Sequence, residues 1–556
     1  MNAPSCEEAL LRQLAETPFA DRLDLAGLSA WSPAAVYDAV DRLEDAGLVD
    51  GLPHATELIP PARRFCLTAE GVLQLAREEG VATERLLRSR PLSAHWRRLL
   101  LGRLDGVASI YRLAGAVVDL HSAAGLRWYR ASPLDAALVL PGGRILGVVR
   151  QGLLSDRTAF SKRMRRLFEG PLPAALLLLV PDEVRLRYAR RLLRGTPLPA
   201  FLALERRAVD AGPGERIWRI PSLSGVLTLE EALSVVRGSG VAPSEPLPRR
   251  ALLPRRLRPG DPRLAPSSLG RSEKRTLDAL CDWPWITVEA LAGLLGVSAA
   301  HASRLVLGLE RRGLAHPVTA ARRDRLVLTD RGLSLLARRD RSAVGAALKR
   351  WSAAPVDPDA PFEWRNVSGS RSRQLLRNLE HTEAVHGFMA ALAVQARGLG
   401  WEVVRLDPPH RASRYFRYGE RLHSVRPDGF GLLRREGRAW PFFLEWERRA
   451  VRPATMRRRL APYLHYYATE RPLEDHGARP AVLIVFDGEI PQTHFLRVAR
   501  EEMERTGIEV PLWVSDRETI AEQGPLEPAA WRRPGDAAGG APGSTGRERP
   551  AAHKRG

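Results

Sequence analysis

The stretch RPDGFGLLRREGRAWPFFLEWERRA, residues 426–450, holds three carboxylates whose spacing can do chemistry: Asp428, Glu445 and Glu447. Glu445 and Glu447 flank Trp446 at the end of the apolar run PFFL, which reads as a buried strand. Side chains alternate along a strand, so both glutamates point one way while Trp446 packs on the other side. Asp428, on the neighbouring strand, can point to the same face. Carboxylates and a backbone carbonyl then make an all-oxygen pocket suited to Mg2+. Such an ion polarises a phosphate and lowers the pKa of a bound water. The candidate catalytic residues are therefore Asp428, Glu445 and Glu447, and the candidate metal ligands Asp428 and Glu445, with Glu383 on the preceding helix as an extra ligand. Arg457, Arg458 and Arg459, on the helix that follows, are candidates to hold phosphate. The alternative is a solvated edge-strand charge pattern, with the acids paired to Arg448, Arg449 and their neighbours.

The elements that must position these acids follow from the flanking pattern. RQLLRNLEHTEAVHGFMAALAVQ (373–395) reads as an amphipathic helix and WEVVRL as a short strand. HSVRPDGFGLLRRE and RAWPFFLEWERRA read as a hairpin turning near Gly437; TMRRRLAPYLHYYATE is a helix and PAVLIVF a buried strand. The order α-β-β-β-α-β resembles the core of the PD-(D/E)xK nuclease fold. Pro427-Asp428 supplies its PD, and Glu445-Trp446-Glu447 stands where that family has (D/E)xK. Replacing the lysine by Glu447 removes the group expected to orient the nucleophilic water. Either Glu447 is a third metal ligand or the site is dead.

Upstream, residues 272–340 give three helices, a hairpin and a closing helix: SEKRTLDALCDW, TVEALAGLLGVS, SAAHASRLVLGLERRGLA, HPVTAARRDRLVLT and TDRGLSLLARRD. This is the winged helix-turn-helix pattern. Ser298 is the N-cap of the third helix. That helix is expected to bury Leu305, Leu307 and Leu309 on or near its core side. Ser298, His301, Ser303 and Arg304 are then free to enter a major groove, and Arg322, Arg323 and Arg325 on the wing to reach phosphates. A dimerisation or protein-docking module is the alternative.

The module occurs twice. SPAAVYDAVDRLEDAGLV (32–49) aligns without gaps on SAAHASRLVLGLERRGLA (298–315), and LTAEGVLQLARE (67–78) on LTDRGLSLLARR (328–339). The hairpin between them is therefore five residues longer in the first copy. SPLDAALVL (132–140) matches VRPDGFGLL (425–433), and RILGVVRQG (144–152) matches PFFLEWERR (441–449). Asp135 thus survives opposite Asp428, while Val148 and Arg150 replace Glu445 and Glu447, so this copy is not expected to hold a metal. Lys162 and Arg163 leave it a grip on a DNA backbone. Its third helix carries Asp38, Asp41, Glu44 and Asp45, which repel phosphate.

The fold expected is thus α+β: a tandem duplication of a winged helix-turn-helix followed by a restriction-endonuclease-like α/β domain. The expected pieces are 1–90, 91–236, a basic linker 237–271, 272–345, 346–523 and a disordered tail 524–556. The linker holds seven prolines and eight arginines against two acids, which reads as extended chain. The tail is rich in Gly, Pro and Ala.

The whole chain narrows the function classes. Its 556 residues exceed one ordinary core. Lys and Arg number 85 against 64 Asp and Glu, for a net charge of +21, which calls for a polyanionic partner, nucleic acid first. No basic amphipathic helix with an aromatic face speaks for a membrane, and the longest apolar run, PAALLLLV, is too short to span one. Three distant cysteines without zinc-finger spacing suit a reducing cytosol. The N-terminus lacks an apolar signal core. A cytoplasmic location is expected. No Walker A loop and no GxGxxG supports ATP or NAD use. His381 and His386 flank Glu383 at a spacing that does not share a helix face, so they read as satisfied or exposed histidines. YLHYY (463–467) reads as aromatic helix packing.

A winged helix followed by RPDG…FFLEWERRA…MRRRLAPYLHYY resembles the replication-relaxation family, over residues 272 to about 500. The resemblance implies a protein of a plasmid or mobile element, acting on double-stranded DNA in replication, relaxation or mobilisation. Its partners would be DNA, a second copy of the chain, or replication and mobilisation proteins. A metal-dependent endonuclease is the second reading, and a transcriptional regulator the third.

Overall fold

The computed structural model describes residues 5–122, 124–223, 225–248, 250–256, 261, 264–447 and 452–535. The fold is mixed α/β, as expected, with five sheets among the described residues. The chain divides into two compact units, Met1–Arg275 with Leu333–Leu348, and Thr276–Gly332 with Lys349–Gly556. Among the described residues no single helix is long and apolar enough to cross a membrane.

In the first unit, helices Cys6–Glu16, Arg22–Gly27 and Pro33–Asp45 start at Ser5, Asp21 and Ser32, whose side chains accept a backbone N–H of the first turn. Leu10, Leu14, Leu25, Val36, Val40 and Leu43 form their shared core. Strands β1 (Ala20–Asp21), β2 (Val49–His54) and β3 (Ala62–Leu67) pair in the order β1-β3-β2. A second sheet follows: β4 (Gly125–Trp128), β5 (Ala136–Val139), β6 (Ile145–Arg150), β7 (Ala175–Val180), β8 (Ala200–Leu204), β9 (Trp218–Arg219) and β10 (Val226–Leu227). Strand β7 is apolar and buried throughout, as a strand covered on both faces must be. Val148 packs in the core of helix Leu104–Leu120, and Val149 in that of helix Arg157–Phe168.

In the second unit, helix Val288–Leu295 is capped by Thr287 and ends at Gly296, whose φ of 69° only glycine adopts freely. Helix Ala299–Arg311 starts at Ser298, the expected N-cap. Strands β11 (Ala315–Ala320) and β12 (Arg323–Leu328) form a hairpin closed by Ala321 and Arg322, with φ of 51° and 62°. Positive φ at both places is the two-residue type I′ turn, whose twist matches that of the flanking strands. The first unit spends residues 55–61 on the same connection, five more, as the repeat predicts. Beyond lie β13 (Glu402–Asp407), β14 (Arg414–Tyr418), β15 (Arg421–Val425), β16 (Gly429–Arg435), β17 (Arg438–Glu447), β18 (Ala481–Phe486) and β19 (Leu512–Asp516). The main sheet runs β13-β16-β17-β18-β19, and β14-β15 is a separate hairpin.

The two main sheets share a pairing plan. In the first unit β4, β5 and β6 pair antiparallel, and β7 and β8 add in parallel. In the second, β13, β16 and β17 pair antiparallel, and β18 and β19 add in parallel. Asp135 N donates to Val148 O and Asp428 N to Leu444 O, both at 2.8 Å. Arg150 N donates to Asp135 and Trp446 N to Asp428, at 2.7 and 2.9 Å. Arg150 therefore corresponds to Trp446, and Val149 and Gln151 correspond to Glu445 and Glu447. The ungapped sequence match, which sets Val148 and Arg150 against the glutamates, is displaced by one residue. A one-residue slip exchanges the faces of a strand. The first unit still lacks the two acids.

Three further expectations are corrected. Leu307 is 44% exposed, because Ala302, Val306 and Leu309 set the buried stripe of its helix and Leu307 falls opposite. The described part of the basic stretch 237–271 is extended but bound. Glu245 accepts from the amides of Arg130, Ala131 and Ser132, and Leu252 and Arg255 give carbonyls to Ala94 and Arg97. Residues 524–535 are packed rather than disordered: Trp531 is fully buried and donates to Pro525 O, and Arg532 bridges to Val514. Residues 536–556 lie outside the described residues.

Candidate functional site

Strand β17 alternates as its sequence predicts. Trp446 turns to helix Leu379–Gly398, where it meets Phe388 at 6.1 Å between rings. Phe443, Glu445 and Glu447 turn to helix Pro453–Tyr467. There the Tyr463 hydroxyl donates to Glu445, and the Arg459 guanidinium pairs with Glu447. Arg459 and Tyr463 are one helical turn apart and so share a face. These groups line a cavity of about 350 Å³ together with Arg426 and Arg458.

The acids are not equivalent. Burial first, and then the neighbouring Asp428, push Glu445 up to about 8, against the Tyr463 hydrogen bond and Arg459. Burial also drives the Tyr463 hydroxyl well above the usual phenol range. Asp428 accepts Trp446 N on one oxygen and meets His381 Nε2 on the other at 3.1 Å. Asp428 and Glu445 are the acids that could hold an ion such as Mg2+, which takes one or two protein carboxylates and would have to displace any proton on Glu445 to bind.

The rest of the predicted set is dispersed. Glu383 does not join Asp428 and Glu445; its carboxylate pairs with Arg323 and Arg325, both at 2.9 Å. Among the described residues no group of three or more His, Cys, Asp or Glu is arranged to hold a metal. Glu447 is engaged by Arg459, and Arg457 pairs with Glu502 at 3.4 Å. Arg458 is exposed at the cavity. Arg448 and Arg449 lie outside the described residues. His386 is a core histidine, edge-on to Trp283, and burial lowers it to about 3. Sequence reasoning discounted His381 and read Tyr463 only as packing. The shared helical face of Arg459 and Tyr463 was the one signal that pointed to the tyrosine.

The second cluster lies on helix Ala299–Arg311 and its hairpin. Ser303, Arg304 and Leu307 face outward. Ser298 Oγ is taken up in capping, accepting from His301 N at 3.2 Å. His301 lies 3.4 Å from Arg304 through Nδ1, and the Ser303 hydroxyl donates to Ala299 O. Arg322 is exposed at the turn. Arg323 is exposed but paired, and Arg325, 1% exposed, cannot reach a phosphate. Arg325 is a structural arginine, as is Arg64 at the corresponding place in the first unit, fully buried against Asp21 and Asp24.

Comparison with protein families, with curated proteins and with solved structures gives no match to this chain.

Proposed function

We propose that the protein binds double-stranded DNA through helix Ala299–Arg311 and the β11-β12 hairpin, acting together as a winged helix. The observation that carries this reading is the outward row Ser303, Arg304 and Leu307, with Arg322 exposed at the hairpin tip, on a chain of net charge +21. A recognition helix enters the major groove by such a face while the wing meets phosphates. The strand order β13-β16-β17-β18-β19, flanked by helices Leu379–Gly398 and Pro453–Tyr467, supports a PD-(D/E)xK-like second part. The shared pairing plan supports a tandem duplication of the two-part module. With the sequence resemblance, this assigns the protein to replication, relaxation or mobilisation of a plasmid or mobile element in the cytoplasm, with a second copy or replication proteins as partners.

A metal-dependent endonuclease is the second reading, favoured by the Asp428–Glu445 pair. Those two residues would hold Mg2+, which when bound supplies a polarised phosphate and a more acidic water. Arg459 on Glu447 and the wing arginines on Glu383 count against efficient cleavage. One experiment separates the readings: supercoiled plasmid with and without Mg2+ or Mn2+, beside a gel shift on the same DNA. Binding without nicking is the expected result. Metal-dependent nicking lost in Glu445→Ala would make the protein a nuclease, and absence of binding would remove the DNA reading.

A further inference from the structure

We propose that the β14-β15 hairpin is a contact surface for an unpaired strand of nucleic acid, set at the mouth of the acidic cavity. The inference rests on the DNA-binding reading and names the form of nucleic acid that the second part engages. The hairpin is an insertion: residues 408–428 separate β13 from β16, where residues 129–135 suffice between β4 and β5. Only the unit that keeps the paired acids has it.

Its register sorts the side chains. Tyr415 pairs with Ser424 and Arg417 with Leu422, so these four share one face. Phe416 and His423 take the other face, against Tyr466 at 5.1 Å and His465 at 4.9 Å. The inner face is thereby pinned to helix Pro453–Tyr467, and Arg471 donates to Tyr415 O at 3.2 Å. The outer face stands open, with Tyr415 47% and Leu422 73% exposed. Tyr415 and Leu422 on one face of a hairpin whose other face is packed give a small apolar surface that a ligand can cover.

Charge selects the partner. Residues 408–426 contain five arginines and one acid, Glu420; Arg411 is paired with Asp282 and Arg414 is buried, which leaves three at the surface. Arg417, Arg421 and Arg426 are exposed, and Arg417 and Arg421 have no acidic partner among the described residues. Arg417 shares the outer face with Tyr415 and Leu422, and Arg421 is exposed beside the turn on the other face. An aromatic ring beside arginines fits bases stacked along a phosphate backbone. Duplex DNA hides its base faces, so the apolar half of this surface is used only by an unpaired strand. The strand has a continuation, because Ser424, Val425 and Arg426 at the foot of the hairpin line the same cavity as Glu445.

The test uses the full chain and three labelled DNAs: a single strand, a duplex, and a duplex carrying a single-stranded arm. In Tyr415→Ala/Leu422→Ala, affinity for the single strand and the arm should fall about tenfold while duplex affinity holds. In Arg417→Ala/Arg421→Ala, the log–log salt slope on the single strand should shrink by about 0.7 per arginine. A single strand carrying 5-iodouracil should crosslink the unaltered chain at Tyr415, a readout that does not depend on how the variants fold. Equal losses on duplex and single strand would overturn the inference. So would unchanged binding with crosslinks elsewhere, which would hand the face to a protein partner. An unaltered chain that binds duplex but no single strand overturns this inference and leaves duplex binding standing; one that binds neither removes both.

Discussion

Along the third helix of each unit, Asp38, Asp41 and Asp45 in the first stand where the second has Arg304, Leu307 and Arg311. The first unit engages part of this acidic face internally: Arg22 pairs with Asp41, and Arg63 from its hairpin with the neighbouring Glu44, while Asp38 and Asp45 stay exposed. The buried hairpin arginine differs in the same direction. Arg64 meets two buried acids, Asp21 and Asp24, whereas Arg325 has one acid, the partly exposed Glu383. So does the aspartate at the head of the central hairpin. Asp135 is bracketed by Arg163 and Arg341, at 2.7 and 2.8 Å, while Asp428 has one histidine and a carboxyl neighbour. One pairing plan thus carries two electrostatic solutions. In the first unit Arg64 and Asp135 are each enclosed by two opposite charges; in the second Arg325 has one partly exposed acid, and Asp428 faces a second carboxyl that a ligand can use.

The largest effect that would break this comparison concerns stability. Arg64→Met leaves two buried acids, Asp21 and Asp24, to share the single cation Arg112 and should cost about 3 kcal/mol, read from denaturant midpoints. Arg325→Met leaves a partly exposed Glu383 that still has Arg323, and should cost about 1 kcal/mol. Equal losses would mean that both arginines are structural to the same degree.

The aspartates give the next effect. Burial alone would raise Asp135, but Arg163 and Arg341 hold its carboxyl well below the usual range. Asp135→Asn strands two guanidinium groups and should cost about 3 kcal/mol at neutral pH. The contribution is present above the ordinary carboxylate pKa and is lost as pH falls towards the lowered one, so it should shrink on acidification. Asp428→Asn should cost about 1 kcal/mol, since it removes one hydrogen bond to a half-buried histidine. Melting curves of both variants across pH test the pair.

For binding, Arg304→Asp installs the first unit's residue in the second and should weaken duplex affinity by about 2 kcal/mol, roughly 30-fold. Asp38→Ala should leave it within about twofold, as expected of an exposed substitution away from the DNA contact. A pH dependence sharpens the acidic site. Glu445 titrates near 4.5 when unfolded and at about 8 when folded. Between those values the folded chain keeps a proton that the unfolded chain has lost. Stability from this group is therefore full below pH 4.5 and declines as pH rises towards 8. Glu445→Gln should remove that decline, so its melting temperature relative to the unaltered chain should rise from pH 5 to pH 8.

What the residues disclosed in advance depended on whether the signal was local. The caps Ser32 and Ser298, the shorter second hairpin, and the alternation of Glu445, Trp446 and Glu447 all follow from neighbours within one element, and the structure keeps them. The match between β6 and β17 slipped by one because two apolar strands score alike in either register. Only the cross-strand bonds of Asp135 and Asp428 fix it. The burial of Arg325 was hidden for a related reason. Arg323 and Arg325 look alike on a strand, and their fates part through Glu383, on a helix far along the chain. Leu307 was misplaced by its size, although the spacing of Ala302, Val306 and Leu309 already put it outside the buried stripe. Composition likewise hid Trp531 among glycines and prolines.

The central claim is that the second unit grips duplex DNA through the Arg304 face. It is tested most directly by the duplex affinity of the full chain and of Arg304→Asp between 50 and 200 mM salt. The account predicts a steep fall for the unaltered chain, with a log–log slope near −0.9 per phosphate contacted, and a variant at least tenfold weaker throughout. Affinity that is flat with salt, or a variant that binds as tightly as the unaltered chain, would contradict it.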